Sequence, residues 1–312
     1  MKTNKGISIL LFLIVVSVGF AYGQEKSKSA MLTGTPVIWE AVDISKRDLY
    51  WGPGGQANFP VLKDAKFIGR DAGGNNLKYE IEDGAKRRWI AKVADESQPE
   101  VAATRLLWAI GYPTEVDYIV PKIAIARVGN YSNVRFELRP EGAKRGERWS
   151  WMDNPFKDSR ELHGLKIMMA LINNWDLKDE NTITLARDGK LYYVVSDLGA
   201  SFGKLADKPM SRSGRSVNDP DDYAKALFIK GVSNGVLMLD YRGINENVIQ
   251  GIKVEDGRWL ADLLMQLSDK QISDAFRAAN YKPEEIAIFT QAVKARIAAL
   301  DKATQAQVAE KE

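Results

Sequence analysis

The sequence predicts an α+β protein in two lobes, a small strand-rich N-terminal lobe with one helix and a larger helical C-terminal lobe. Three observations lead there. Short alternating runs separated by turn residues fill Phe67–Leu138, interrupted by one helical segment after Ser97. A helix, a polar loop, a tight hairpin and a second acidic loop follow one another in Met168–Gly203. From Trp259 onward, apolar residues recur at helical spacing with capping signals between them.

Taken from its start, the chain opens with a leader-like segment. Met1–Lys5 is basic, Ile7–Phe20 is an uncharged apolar run, and Ala21-Tyr22-Gly23 supplies small residues where a signal peptidase reads them. Residues 1–23 therefore read as a signal peptide cleaved before Gln24, and the mature protein as exported, periplasmic or extracellular, with no stable membrane span. The apolar run is shorter than the ~20 residues a spanning helix needs. Loss of Lys2 and Lys5 lowers the formal charge from +3 to +1, a balance that gives no electrostatic case for nucleic acid or an anionic membrane. With no Cys in 312 residues and a single His163, disulfides, thiolate metal sites and multi-histidine sites are excluded. His163, near the start of a helix, reads as a surface or helix-terminal residue.

Residues 24–60 read as an N-terminal extension: a polar lead-in, a strand at Val37–Val42, and a Gly/Pro-rich loop, Leu49–Pro60, covering one edge of the sheet. Residues 61–138 read as the N-terminal lobe. Phe67-Ile68-Gly69 ends a strand, Arg70–Asn76 is a glycine-bearing turn, Leu77–Ile81 alternates, and Asp83-Gly84 turns the chain into Arg88–Val93. Ile90 and Lys92 share one face of that strand because side chains repeat every two residues. Ser97 reads as a cap, Pro99 suits a first turn, and Glu100 completes a capping box, with Gly111 ending the helix. Val116–Val120, Lys122–Val128 and Val134–Leu138 follow as strands, with Pro121 between the first two.

Residues 139–312 read as the C-terminal lobe, entered through Arg139-Pro140-Glu141-Gly142. Lys144–Arg148 reads as solvated, and Trp149-Ser150-Trp151 as packing. Leu162, Leu165, Met168, Ile172 and Trp175 form one helical stripe that delivers Asp176, and Asn181 follows five residues later. Thr182–Ala186 and Leu191–Val195 are strands joined by Asp188-Gly189, a strong two-residue hairpin signal. The hairpin folds Asp197 back beside the loop carrying Asp176 and Asn181. Two carboxylates and a carboxamide converge there, a donor set that suits Mg²⁺, a hard cation preferring oxygen ligands. Lys204–Asp222 is polar and aperiodic. The helices beyond it carry a Ser268/Gln271 capping pattern and Pro283 at a helix start, and the tail after Leu300 reads as disordered.

The order Lys92, Asp176, Asn181, Asp197 resembles the core of the protein-kinase-like fold, where an Asp-x-x-x-x-Asn loop, a hairpin and a metal-binding Asp follow one another. Asn174-Trp175 before the first Asp and Leu198 after the last depart from ordinary protein kinases. They are more similar to atypical branches: HipA-like, phosphatidylinositol-kinase-like, CotH-like and secretory-pathway kinases. The segments Trp175–Asn181 and Ser196–Gly203 also resemble a group of secreted bacterial proteins of uncharacterised activity. The resemblance implies transfer of phosphate from ATP, with Mg²⁺ or Mn²⁺, to a hydroxyl of an unidentified protein, sugar or lipid. It implies that Asp176 acts on the acceptor, that Asn181 and Asp197 hold metal, and that Lys92 grips phosphate. Gly73 and Gly74 would bring backbone N–H groups to phosphate, Ile90 would pack on the adenine, and Glu100 (with Glu96 as the alternative) would pair with Lys92. A kinase-fold binding module without turnover, transfer of AMP in place of phosphate, and a carboxylate-metal hydrolase using Asp176, Asp179, Glu180 and Asp197 are the rival expectations.

Overall fold

The computed structural model describes residues 32–71, 76–125, 129–207 and 213–308. The leader-like segment and the glycines Gly73 and Gly74 lie outside the described residues. The architecture is α+β, with a β-rich lobe followed by a helical one. Among the described residues no helix is long and apolar enough to cross a membrane.

Five antiparallel strands form the first sheet: β2 (Lys66–Asp71), β3 (Leu77–Glu82), β4 (Arg88–Val93), β5 (Asp117–Ile125) and β6 (Gly129–Leu138), in spatial order β2-β3-β4-β6-β5. Helix α1 (Ser97–Ala109) connects β4 to β5. The predicted break at Pro121 does not occur, because β5 lies at the sheet edge, where the missing proline N–H leaves the ladder intact.

The register sorts the side chains by chemistry. Glu80 pairs with Ile90, Ile90 with Glu137, Lys92 with Arg135, and Asp117 with Glu137, so one face is charged. The opposite face carries Tyr79, Trp89, Tyr118, Val134 and Phe136, all buried. The Leu49–Pro60 loop covers that outer face rather than an edge: Trp51 and Phe59 pack on it, and Tyr118 Oη donates to Gly55 O at 2.7 Å. An aromatic face of this size would otherwise meet water, and its burial is the larger gain.

Residues 139–143 carry the chain from this sheet to a second one of order β1-β9-β8-β7. Its members are β1 (Thr35–Val37), β7 (Lys144–Arg145), β8 (Thr182–Arg187) and β9 (Lys190–Val195). The strand expected over Val37–Val42 ends at Val37. Beyond it the chain bonds to the end of α1 instead, through Trp39 Nε1 to Ile110 O at 2.6 Å and Glu40 N to Gly111 O at 3.0 Å. Lys144 and Arg145 are exposed, as expected, and also form a short edge strand, pairing with Ala186 and Leu185. The β8–β9 turn is as predicted, with Asp188 and Gly189 at φ 52° and 74°.

The second lobe is built on α2 (Arg160–Leu171), α3 (Pro220–Lys225), α4 (Val254–Leu264), α5 (Asp269–Ala278) and α6 (Pro283–Val308). Helix α2 is buried from Leu162 to Leu171, so His163 is no surface residue: its Nδ1 lies 2.6 Å from Asp256 Oδ2 on α4. The Ser268–Gln271 capping box forms as expected. Helix α6 runs past Leu300 to Val308 because Thr304 is buried and Asp301 pairs with Arg258 at 2.6 Å. A hairpin of β10 (Ile229–Ser233) and β11 (Val236–Leu239) interrupts this helical region. Its turn, Asn234-Gly235, is the sequence signal that marks it.

Candidate active site

Lys92 projects from the charged face of β4 toward α1 and is 2% exposed. The first turn of α1 differs from the predicted capping box. Glu96 occupies the cap position, without a side-chain cap bond, and Ser97 lies inside the helix with its Oγ donating to Lys92 O at 3.1 Å. Freed from capping, Glu100 places Oε2 3.0 Å from Lys92 Nζ. Glu96 Oε2 lies 3.2 Å from the same nitrogen, so the two acids weighed as alternatives both pair with it. Asp197 Oδ1, from the other lobe, completes the set at 3.6 Å. Burial pulls the Lys92 ammonium down, but Glu100 and Asp197 outweigh it and hold the pKa well above the usual lysine value. Burial raises Glu100 to about 7, with Arg135 and Lys92 opposing.

Arg135 is the residue that sequence reasoning missed. Its Nη1 lies 2.9 Å from Glu100 Oε1, so one carboxylate bridges Lys92 and Arg135. Its Nη2 lies 3.0 Å from Glu137 Oε2, and Glu137 also pairs with Arg145 at 3.1 Å and with Arg139. Asp117, fully buried, is held by Arg105 at 2.9 Å and by the Thr104 hydroxyl at 3.1 Å. The signal was present in Val134-Arg135-Phe136-Glu137-Leu138. Charges alternating with apolar residues in a central strand require a charged face opposite an apolar one.

The acidic loop after α2 is built by its own polar side chains. Asn173 takes φ 52° and ends the helix, donating to Gly203 O at 2.8 Å. Asn174 Oδ1 accepts from the Asp176 N–H at 2.9 Å. Asn181 Nδ2 donates to Asp176 O at 2.8 Å and to its Oδ2 at 3.1 Å. Lys178, also missed, places Nζ 2.7 Å from Asp176 Oδ1. The carboxylate is therefore fixed from two sides.

Backbone bonds tie this loop to the one bearing Asp197. Ser196 N donates to Asn181 O at 2.9 Å, and Trp175 N to Ala200 O at 3.2 Å. Gly199 packs so closely on Glu96 that a Cβ would lie 2.6 Å from the Glu96 Cβ, so only glycine fits. Asp197 is 41% exposed and accepts from the Gly199 N–H at 3.3 Å. The structure thus brings Lys92, Glu96, Glu100 and Asp197 into one cluster and Asp176, Lys178 and Asn181 into another. Among the described residues no group of three His or acidic side chains forms a ready metal cage. The donors present still fit a hard divalent cation, because Asp197 offers carboxylate oxygen, Asn181 offers amide oxygen, and three carboxylates face one ammonium at Lys92.

Asn76 Nδ2 donates to Glu96 Oε2 at 2.8 Å, anchoring the chain just beyond Gly73 and Gly74 to this cluster. Ile90 lines an open cavity of about 1000 Å³ with Leu138, Arg139, Pro140 and Glu141 from the interlobe linker. Lys92 is not in that lining.

No family model matches this sequence, and no curated protein matches it. Among solved structures, the chain is similar to the proinflammatory kinase CtkA of Helicobacter pylori, at 9% identity over 81% of this chain and 100% of that one, with a TM-score of 0.48. It is also similar to the Golgi casein kinase, at 9% identity over 80% of this chain and 73% of that one, with a TM-score of 0.39. The same kinase with Mn/ADP bound gives 9% identity over 78% and 74%, with a TM-score of 0.38.

Proposed function

We propose that the protein is an atypical kinase-like phosphotransferase that moves phosphate from Mg-ATP to a hydroxyl acceptor, a protein, sugar or lipid. The observation that carries this reading is the buried Lys92–Glu100 pair with Asp197 reaching it across the lobes at 3.6 Å. A lysine oriented by a helix carboxylate beside an acid from the other lobe is an arrangement suited to holding phosphate and a cation together.

Lys92 donates to phosphate oxygens while Glu100 and Glu96 keep its ammonium in place. Asp197 and Asn181 hold the divalent ion, which when bound neutralises phosphate charge. Asp176 accepts the proton of the attacking hydroxyl, oriented by Asn181 and by Lys178, whose ammonium lies 2.7 Å from the carboxylate and holds it in place. Ile90 and the linker residues receive the base. Gly73 and Gly74 contribute backbone N–H groups to phosphate. The leader-like Met1–Gly23 supports action outside the cytoplasm. Intact-mass analysis of secreted protein finds a mature N-terminus at Gln24 on this reading; a retained Met1 in a membrane fraction overturns it.

The deciding measurement is a thermal-shift panel of ATP, ADP and GTP with and without Mg²⁺ or Mn²⁺, run on the full protein beside its Asp197→Ala variant. Metal-dependent stabilisation by nucleotide, lost in the variant, is expected. Absence of any nucleotide response in the unmutated protein overturns the phosphotransferase reading in favour of a binding module. Mass analysis of the acceptor pool then separates phosphate transfer from AMP transfer.

A further inference from the structure

A second cavity lies behind the interlobe linker, with a volume of about 310 Å³. It is lined by the N-terminal extension, the end of α1, the α1–β5 connection, the linker, β7 and the β8–β9 hairpin. None of Ile90, Lys92, Asp176, Asn181 and Asp197 belongs to its wall, although it shares Leu138, Arg139 and Pro140 with the cavity that Ile90 lines. Its size lies at the lower end of the ~300–1,000 Å³ range of small-molecule sites.

The polar groups of this cavity are out of balance. Four guanidiniums (Arg47, Arg139, Arg145 and Arg187) face two carboxylates, Glu40 and Glu115. Both acids are already committed, Glu40 to Lys190 at 2.5 Å and Glu115 to Arg145. Beneath the cavity Glu137 is shared by Arg135, Arg139 and Arg145. Arg47 lies over the Trp108 ring at 4.1 Å and, among the described residues, makes no direct ion pair; Glu40 acts on it only through its field. Burial, then the neighbouring Arg145, lowers Arg139 to about 10. The Thr114 hydroxyl, also in the wall, is buried without a hydrogen-bond partner among the described residues. The Arg47 guanidinium and the unpaired Thr114 hydroxyl, beside three further arginines that share Glu115, Glu137 and Asp188, mark a place for negative charge. The rest of the wall is apolar, with Val42, Trp108, Leu138, Leu185 and Val194.

The geometry points to a binding site for a small anion with a flat apolar body. Its carboxylate or phosphate head sits among Arg47, Arg139 and the Thr114 hydroxyl, and its body lies against Trp108 and Leu185. The inference does not need the phosphotransferase reading, but Leu138, Arg139 and Pro140 also line the cavity beside Ile90, so competition with Mg-ATP is part of its test.

Calorimetry on the full protein tests it with 2-naphthoate, 2-naphthyl phosphate and the neutral 2-naphthamide. At least one anion binds, and the amide binds at least tenfold more weakly; which anion binds better distinguishes a carboxylate from a phosphate head. Arg47→Met, which leaves no carboxylate stranded, weakens the anion at least tenfold. Leu185→Trp fills the cavity and abolishes binding, while an unchanged thermal melt of both variants shows that the fold persists. Equal binding of amide and anions, undiminished binding in Arg47→Met or Leu185→Trp, or no heat from any of the three compounds at millimolar concentration overturns the site. So does full displacement of the anion by Mg-ATP, which would make the cavity part of the nucleotide site.

Discussion

Two ends of one charged sheet face differ in sign. At the Lys92 end three carboxylates, Glu96, Glu100 and Asp197, surround a single ammonium. At the linker end two carboxylates, Glu137 and Glu115, serve Arg135, Arg139 and Arg145, with Arg47 and Arg187 nearby. Arg135 joins the two, held by Glu100 on one side and Glu137 on the other. Buried ion pairs of this kind seldom add net stability over apolar residues of the same volume, since each charge loses its hydration. A network that is acid-rich at one end and base-rich at the other is therefore better explained by what it binds than by what it stabilises. The acid-rich end suits a divalent cation with its phosphates, and the base-rich end suits an anion.

The comparison breaks first at turnover. Asp176→Asn keeps the shape of the acceptor loop but removes the base, so phosphate transfer falls by ~10²–10⁴-fold while metal-dependent nucleotide binding persists. Rapid-quench kinetics beside calorimetry reads both, and equal loss of metal affinity in Asp176→Asn and Asp197→Ala would reject the division of roles. The link between the two ends comes next. Arg135→Met removes the cation that Glu100 and Glu137 share, leaving Glu100 to Lys92 and Glu137 to Arg139 and Arg145, at a cost of ~1.5–3 kcal/mol in stability. Urea unfolding measures it, and a loss no larger than that of an exposed arginine would show that the network does not act as a unit.

A comparable effect is expected at the acid-rich end alone. Lys92→Ala removes a charge-assisted bond to phosphate, weakening nucleotide binding by ~1.5–3 kcal/mol. Arg135 remains on Glu100, so the fold survives, and calorimetry at constant Mg²⁺ reads the change. Unaltered affinity would remove Lys92 from the site.

The last effect is a pH slope. Glu100 is raised by burial from 4.5 to about 7 in the folded protein. Its folded form therefore holds a proton that the unfolded chain has released across that window, and the associated stability, full below pH 4.5, is lost as pH rises to about 7. Glu100→Gln lacks this slope. Stability measured from pH 4.5 to 8 should fall in the parent relative to the variant; a constant difference would mean that Glu100 is ionised throughout.

Much of this was legible in the residues. The spacing of Asp176, Asn181 and Asp197, and the Asp188-Gly189 turn between them, placed both acidic loops at one end of a hairpin. Lys92 on a strand before a helix bearing Glu100 was equally readable. The choice Glu100 made was not, because its capping-box role and its pairing with Lys92 were both sound locally. Only the proximity of β6, which set Arg135 on its second oxygen, shows why burial in the network won. The strand expected over Val37–Val42 lies instead at Thr35–Val37 for a related reason: the Trp39 indole and the Glu40 N–H found acceptors at the end of α1.

The sequence by itself determined what depends on neighbours within a few residues: helix starts such as Ser268–Gln271, the Asp188-Gly189 turn, the two-residue alternation of the strands, and the order of the chemical groups. The tertiary structure decided which distant charges share a carboxylate, that His163 meets Asp256 across 93 residues, and that residues 49–60 cover an aromatic face. Backbone conformation answers to local sterics and hydrogen bonds, which a short stretch of sequence carries with it. Ion pairing and burial answer to whatever surface arrives through space, so their outcome is fixed only when the sheets and helices have packed.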